Sequence, residues 1–278
     1  DHPDISAETK RAVNELAEKL NYQPNAVALS LKQQRSNTIG VIIPEMVHYF
    51  FSSVISGIED VAYEAGFNVI ICQSNEKYDR EVANVKTLLA NRVDGILVSI
   101  SKQTKDYRHL EYIRENEVPL VFYDRIVPGF ETDHVIIDDS EAAYQATKHL
   151  TDNGRRRIAH FAGPQNLLIG QKRKEGYLRA IQEAGLGTGE ELVFDADNFE
   201  KARIAILDIF KKNLTIDGIF AVNDLTAISA MQTLQKRGVN IPFDIAVVGF
   251  SDGRFSGITD PTLTSVDQHG YEMGSVDT

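Results

Sequence analysis

Gly57-Ile-Glu-Asp-Val-Ala-Tyr-Glu-Ala-Gly-Phe67 returns as Gly176-Tyr-Leu-Arg-Ala-Ile-Gln-Glu-Ala-Gly-Leu186, an offset of 119 residues. Upstream, Ile39-Gly-Val-Ile-Ile-Pro44 has its counterpart in Ile158-Ala-His-Phe-Ala-Gly-Pro164 at the same offset. Downstream, Arg92-Val-Asp-Gly-Ile-Leu-Val98 matches Ile216-Asp-Gly-Ile-Phe-Ala-Val222 after a small insertion. Each copy alternates short Val/Ile/Phe runs with longer amphipathic stretches. Runs without polar alternation are what parallel strands buried on both faces require. Gly66 and Gly185 stand where a helix end needs a residue tolerant of left-handed backbone. A unit repeated in this way predicts two doubly wound parallel-sheet α/β lobes.

The expected boundaries follow from the same runs. Residues 38–134 form the first lobe, with Pro119–Tyr123 as its closing strand, and residues 135–264 form the second, opened by Val135–Ile137. After the run Ile245–Phe250 the chain is expected to re-enter the first lobe near Thr264–Asp267, so that residues 265–278 belong there. Open parallel sheets bind ligands beyond the carboxyl ends of their strands. With two lobes, that places a small molecule in the cleft between them.

Composition narrows the class. A chain of 278 residues with 42% apolar content can bury two cores. No apolar run approaches the roughly 18 residues needed to span a bilayer. The acidic start Asp1-His2-Pro3-Asp4 does not resemble an export signal. The single cysteine, Cys72, permits no disulfide within the chain, which fits a reducing, cytoplasmic setting. Net charge is −11, yet residues 1–37 carry five basic and five acidic side chains, so the whole excess lies in the body. Such a body repels nucleic acid, and any DNA affinity must reside at the N-terminus.

That N-terminus has its own logic. Ser6 is a good cap for a helix running to about Leu20, with Val13, Leu16, Ala17 and Leu20 on one face. This face needs a partner that the preceding residues do not supply, so residues 1–23 read as the remnant of a small domain. Residues 24–37 follow as a hinge helix and linker. Pro24 suits a first helical turn, Leu31 is a wedge-sized apolar residue, Lys32 and Arg35 are basic, and Asn25–Asn37 holds no acid. A short basic helix with one apolar wedge suits insertion into a minor groove. A linker packed on its own body is the alternative. Tyr271–Thr278 reads as the start of a further helix.

Together these stretches resemble the LacI/GalR family of bacterial transcription regulators. Asp4–Lys10 through Leu20–Asn25 is similar to the third helix of its helix-turn-helix domain and the entry to its hinge. Arg35–Pro44, Ala221-Val-Asn-Asp-Leu-Thr-Ala227 and Ile241–Phe250 are similar to three signatures of its core. The resemblance implies a periplasmic-binding-protein-like core of type I, homodimeric and free of cofactor or metal, that binds a small effector and, through N-terminal heads, operator DNA. It implies DNA contacts at Asn25, Ala28, Leu31 and Lys32. It implies effector contacts at Phe50, Phe51, Asp124, Arg125, Arg173, Asn223 and Gln268. Where the family places an Asp after the last strand's Gly-aromatic pair, this chain has Ser251 followed by Asp252, and both are candidates. Planar amides, carboxylates and guanidinium forks recognise hydroxyl arrays, and aromatics cover a sugar's apolar face. A sugar or derivative, neutral or acidic, is the expected effector, with a nucleobase or a protein corepressor as alternatives, and the Ser251 departure weighs against a borrowed sugar assignment.

Two other classes stay in view. Gly249-Phe-Ser-Asp-Gly253 fits the nucleophile pattern of serine hydrolases, with Ser251 as nucleophile. Arg254–Pro261 has loop composition, however, where that elbow requires a helix. A solute-binding protein of a transport system uses the same two-lobed cleft, but predicts an export signal and no basic hinge. The seven His show no metal-ligand spacing, and no phosphate-binding glycine loop is present.

Overall fold

The computed structural model describes residues 5–22 and 35–277. Pro24, Asn25, Ala28, Leu31 and Lys32 lie outside the described residues. Helix α1 (Ala7–Lys19) is capped by Ser6, whose side chain accepts from the Thr9 N–H. Its apolar residues Val13, Leu16 and Leu20 are all exposed.

The body is two five-stranded parallel sheets with the same layout. In the first lobe the strands are β1 (Thr38–Ile43), β2 (Asn68–Gln73), β3 (Gly95–Val98), β4 (Leu120–Tyr123) and β5 (Asp133–Val135), in the order β2-β1-β3-β4-β5. In the second they are β6 (Ile158–Ala162), β7 (Val193–Asp195), β8 (Gly218–Ala221), β9 (Ala246–Ser251) and β10 (Thr264–Asp267), in the order β10-β9-β8-β6-β7. The two orders are equivalent, strand for strand. Between the strands run α2 (Tyr49–Glu64), α3 (Tyr78–Ala90) and α4 (Arg108–Glu115) in the first lobe. The second lobe carries α5 (Asp139–Asp152), α6 (Leu168–Glu183), α7 (Phe199–Lys211) and α8 (Asp224–Gln235). Helix α9 (Gly270–Asp277) returns to the first lobe and packs on α2. β1 and β6 are buried nearly throughout, as central parallel strands are.

Two boundary expectations require correction. β5 pairs with β4, so Asp133–Val135 completes the first sheet and does not open the second. β10 pairs with β9, so Thr264–Asp267 stays in the second lobe. The chain therefore crosses at residues 136–138 and again at Gln268–His269. The physical reason is the repeat itself: each copy ends in a short fifth strand on its own sheet edge, and each crossing follows that strand.

The repeated glycines have a defined task. A Cβ on Gly57 would sit 2.2 Å from the Tyr271 carbonyl oxygen of α9, and one on Gly176 would sit 2.1 Å from the Ser140 carbonyl oxygen of α5. In each lobe the first repeat helix thus meets, backbone to backbone, the helix that arrives from the other lobe. Gly66 and Gly185 take φ of 79° and 68° just beyond α2 and α6, the left-handed helix end expected of them.

Candidate functional site

Segments that follow strands of both sheets meet at one cleft. From the first lobe it is lined by His48, Phe50 and Phe51 after β1, Lys102 after β3, and Asp124 and Arg125 after β4. From the second it is lined by Gly163 to Arg173 after β6, Asp197 after β7, Val222 and Asn223 after β8, and Ser251 ending β9. Gln268, in the second crossing, also lines it. The space, mouth included, is about 580 Å³, within the range that accommodates small molecules.

Arg173 is only 4% exposed. Its Nε donates to Asp139 Oδ1 at 2.7 Å and its Nη1 to the Val222 carbonyl at 2.8 Å. The guanidinium lies 3.7 Å above the centre of the Phe250 ring. Burial pushes the Asp139 carboxyl up, and the adjoining Arg173 charge opposes that rise. On the facing lobe, Arg125 Nη1 donates to both Glu76 carboxylate oxygens at 2.9 Å and its guanidinium lies 5.7 Å from the centre of the Phe51 ring. Phe50 and Phe51 pack edge to face at 5.2 Å.

Asp124 differs from its neighbours. Burial lifts its carboxyl to about 6, with Arg125 and Arg173 opposing and Asp139 and Glu76 adding to the rise. Its nearest cationic atom is Arg125 Nε at 3.7 Å, beyond hydrogen-bond reach. Its backbone holds φ at 57°, left-handed for a residue with a Cβ. Ser251 at 116° and Asp252 at 48° are also left-handed. Backbone held in such sparsely populated regions concentrates at ligand sites.

The same bend removes one candidate. Ser251 faces the cleft, where its hydroxyl donates to Gln268 Oε1 at 2.7 Å. Asp252 turns away: its carboxylate accepts from the Ser256 hydroxyl at 2.9 Å and its N–H donates to Ser265 Oγ at 3.1 Å. The expected Asp252 contact is therefore corrected. Asn223 lines the cleft while capping α8, its Oδ1 accepting from the Thr226 N–H and its Nδ2 donating to the Asp197 carbonyl. Ser251 has no imidazole partner among the described residues, and its strand leads into a loop and a single 3-10 turn at Ser256–Ile258. The hydrolase elbow is not formed.

Three titratable lining residues escaped the sequence. Lys102 Nζ meets Asp197 Oδ2 at 2.7 Å, and the Lys102 carbonyl accepts from Asn166 Nδ2 at 2.8 Å. Both contacts join the two lobes. Burial alone would raise the Asp197 carboxyl, but Lys102 and Lys201 outweigh it and hold the group below its ordinary value. His48 is the third. Burial, reinforced by the Arg125 charge, depresses its imidazole and leaves it uncharged at neutral pH. Nothing in the local sequence marks Lys102 or Asp197, because each acquires meaning only from the other.

A cleft between two parallel-sheet lobes, lined by both and by the crossing chain, defines a two-lobed ligand-binding core of the periplasmic-binding type. The sequence profile described as periplasmic binding proteins and sugar binding domain of LacI family matches residues 36–276. Catabolite control protein A of Priestia megaterium is 32% identical over 277 residues, covering 99% of this chain and 83% of that protein. A solved complex of the transcriptional regulator CelR with cellobiose superposes with a TM-score of 0.79 at 28% identity, covering 99% of this chain and 83% of that one. A periplasmic binding protein/LacI transcriptional regulator from Alkaliphilus metalliredigens, complexed with D-xylulofuranose, gives 0.74 at 25% identity, covering 86% and 87%. The chain belongs to the LacI family, and its function is that of a transcription regulator with a ligand-binding core. Among the described residues, no helix is long and apolar enough to cross a membrane, and no group of His, Cys, Asp and Glu is arranged to hold a metal ion.

Proposed function

We propose that the interlobe cleft binds a small carbohydrate or carbohydrate derivative as effector, and that its occupancy sets the affinity of the regulator for operator DNA. The observation that carries this reading is convergence. Eight residues chosen from sequence, Phe50, Phe51, Asp124, Arg125, Arg173, Asn223, Ser251 and Gln268, come from both lobes and the second crossing and line one cavity. The aromatic pair offers a surface for an apolar sugar face. The guanidinium, amide, hydroxyl and carboxylate groups offer both donors and acceptors for hydroxyls. The CelR and Alkaliphilus relatives, solved with cellobiose and D-xylulofuranose, support a sugar here.

The coupling works through lobe geometry. Lys102 bonds Asp197 and Asn166 across the cleft, so a ligand wedged among these side chains favours one lobe arrangement over another. In this reading residues 24–37 carry that change to the DNA, with Asn25, Ala28, Leu31 and Lys32 at the minor groove, in a cytoplasmic homodimer that presents two such segments to a two-fold operator. A coupling free energy of about 1–3 kcal/mol is enough to switch occupancy. A thermal-shift screen of mono- and disaccharides on the purified chain tests the effector assignment. A sugar that raises the melting temperature in parent protein and fails to do so in Arg173→Met meets the expectation. Equal stabilisation of both proteins overturns it.

A further inference from the structure

We propose that the cleft selects an uncharged polyhydroxy ligand and rejects the phosphorylated or carboxylated counterpart of that ligand. This deepens the effector assignment above and rests on it. The case is one of charge pairing around the wall. Arg173 has its carboxylate in Asp139 at 2.7 Å, Arg125 in Glu76 at 2.9 Å, and Lys102 in Asp197 at 2.7 Å. Lys201 also reaches Asp197, at 2.9 Å, but has a further partner in Asp195 at 3.0 Å. Each of these cations therefore has a carboxylate partner before a ligand arrives, Glu76 lying 3.6 Å from Lys102 as well, while the buried Arg125 Nε keeps an unused donor.

Asp124 is the carboxylate whose cation, Arg125, stands beyond hydrogen-bond distance. It is 7% exposed, it lines the cleft, and its closest cationic atom stands 3.7 Å away. A carboxylate in that state accepts a hydrogen bond from a ligand hydroxyl, and such charge-assisted bonds are among the strong ones. A phosphate or carboxylate brings no spare donor and adds a second negative charge in a poorly hydrated space, where like charges repel most. Displacing Asp139, Glu76 or Asp197 from its cation to admit an anion would leave a buried carboxylate unpaired, which is costly. The cations serve instead to hold their carboxylates in place and to offer their remaining N–H groups to hydroxyl oxygens.

Isothermal titration calorimetry at pH 7.5 tests this with matched series on the purified chain. D-glucose, D-ribose, D-xylulose and cellobiose are set against D-glucose 6-phosphate, D-ribose 5-phosphate, D-xylulose 5-phosphate and cellobionate. The expected result is binding of a neutral member, with its anionic counterpart weaker by about tenfold or more. Asp124→Asn, close to isosteric, should weaken the neutral ligand and narrow the gap between the two. An anionic member that binds more tightly than its neutral counterpart, and loses that binding in Arg173→Met, overturns the charge selection while leaving the cleft as effector site. A neutral sugar whose affinity is unchanged in both Asp124→Asn and Arg173→Met places the site elsewhere and overturns the effector assignment itself. Silence from every member of both series contradicts the polyhydroxy class.

Discussion

Asp124 shows how one side chain links stability to recognition. Its folded value, about 6, lies above the ordinary 3.8 because burial penalises the charged form. For a group raised in this way, the favourable contribution is whole below the unfolded value and is lost as pH rises through the folded one. Removing Asp124 should therefore help most where the carboxyl is ionised. Asp124→Asn is expected to raise the melting temperature relative to parent protein at pH 7.5 more than at pH 4.5, read from paired thermal melts. An equal shift at both values would contradict the assignment. Arg173→Met is the opposite case. It leaves Asp139 buried without its cation, so it should cost about 3 kcal/mol in urea unfolding, with part of that loss restored by adding Asp139→Asn. Single residues of this kind were legible where the family resemblance supplied a position for them: an aromatic pair, an arginine before a glycine-aromatic pair, an amide at a strand end. Lys102 and Asp197 were not, since an ion pair between residues 95 positions apart has no local signature. Asp252 was misplaced because two consecutive left-handed residues reverse the direction that strand alternation implies.

Among the elements, the repeat was legible because buried parallel strands and glycine-ended helices leave strong local patterns. The two fifth strands were not. β5 is three residues long with two of them exposed, and β10 is exposed at both ends. Edge strands this short carry no apolar run, and their pairing is set by the sheet they join. The repeated glycines were legible as repeats, but their reason emerges only from packing. Gly57 and Gly176 each admit a carbonyl oxygen of a neighbouring helix within 2.2 Å of where a Cβ would stand. Gly57→Ala and Gly176→Ala should each force α2 from α9, or α6 from α5, at about 1–3 kcal/mol apiece in urea unfolding. Their effects should add, since they lie in different lobes. Losses below a few tenths of a kcal/mol would show that the helix pairs tolerate separation.

At the scale of the whole molecule, two equivalent lobes exchange a helix: the chain crosses once to place α5 on α6 and again to place α9 on α2. The cleft is consequently tied to both lobes by covalent crossings at residues 136–138 and 268–269, and by the contacts of Lys102 with Asp197 and Asn166. A ligand held there touches both lobes or it does not control their angle. Hydrogen-exchange mass spectrometry of the purified chain, with and without a stabilising sugar, reads this directly. The account predicts slowed exchange in peptides from both sides of the cleft at once, covering residues 99–104 and 120–127 in the first lobe and 163–173 and 248–253 in the second. Protection confined to one lobe, or lying on the outer helices alone, would contradict it.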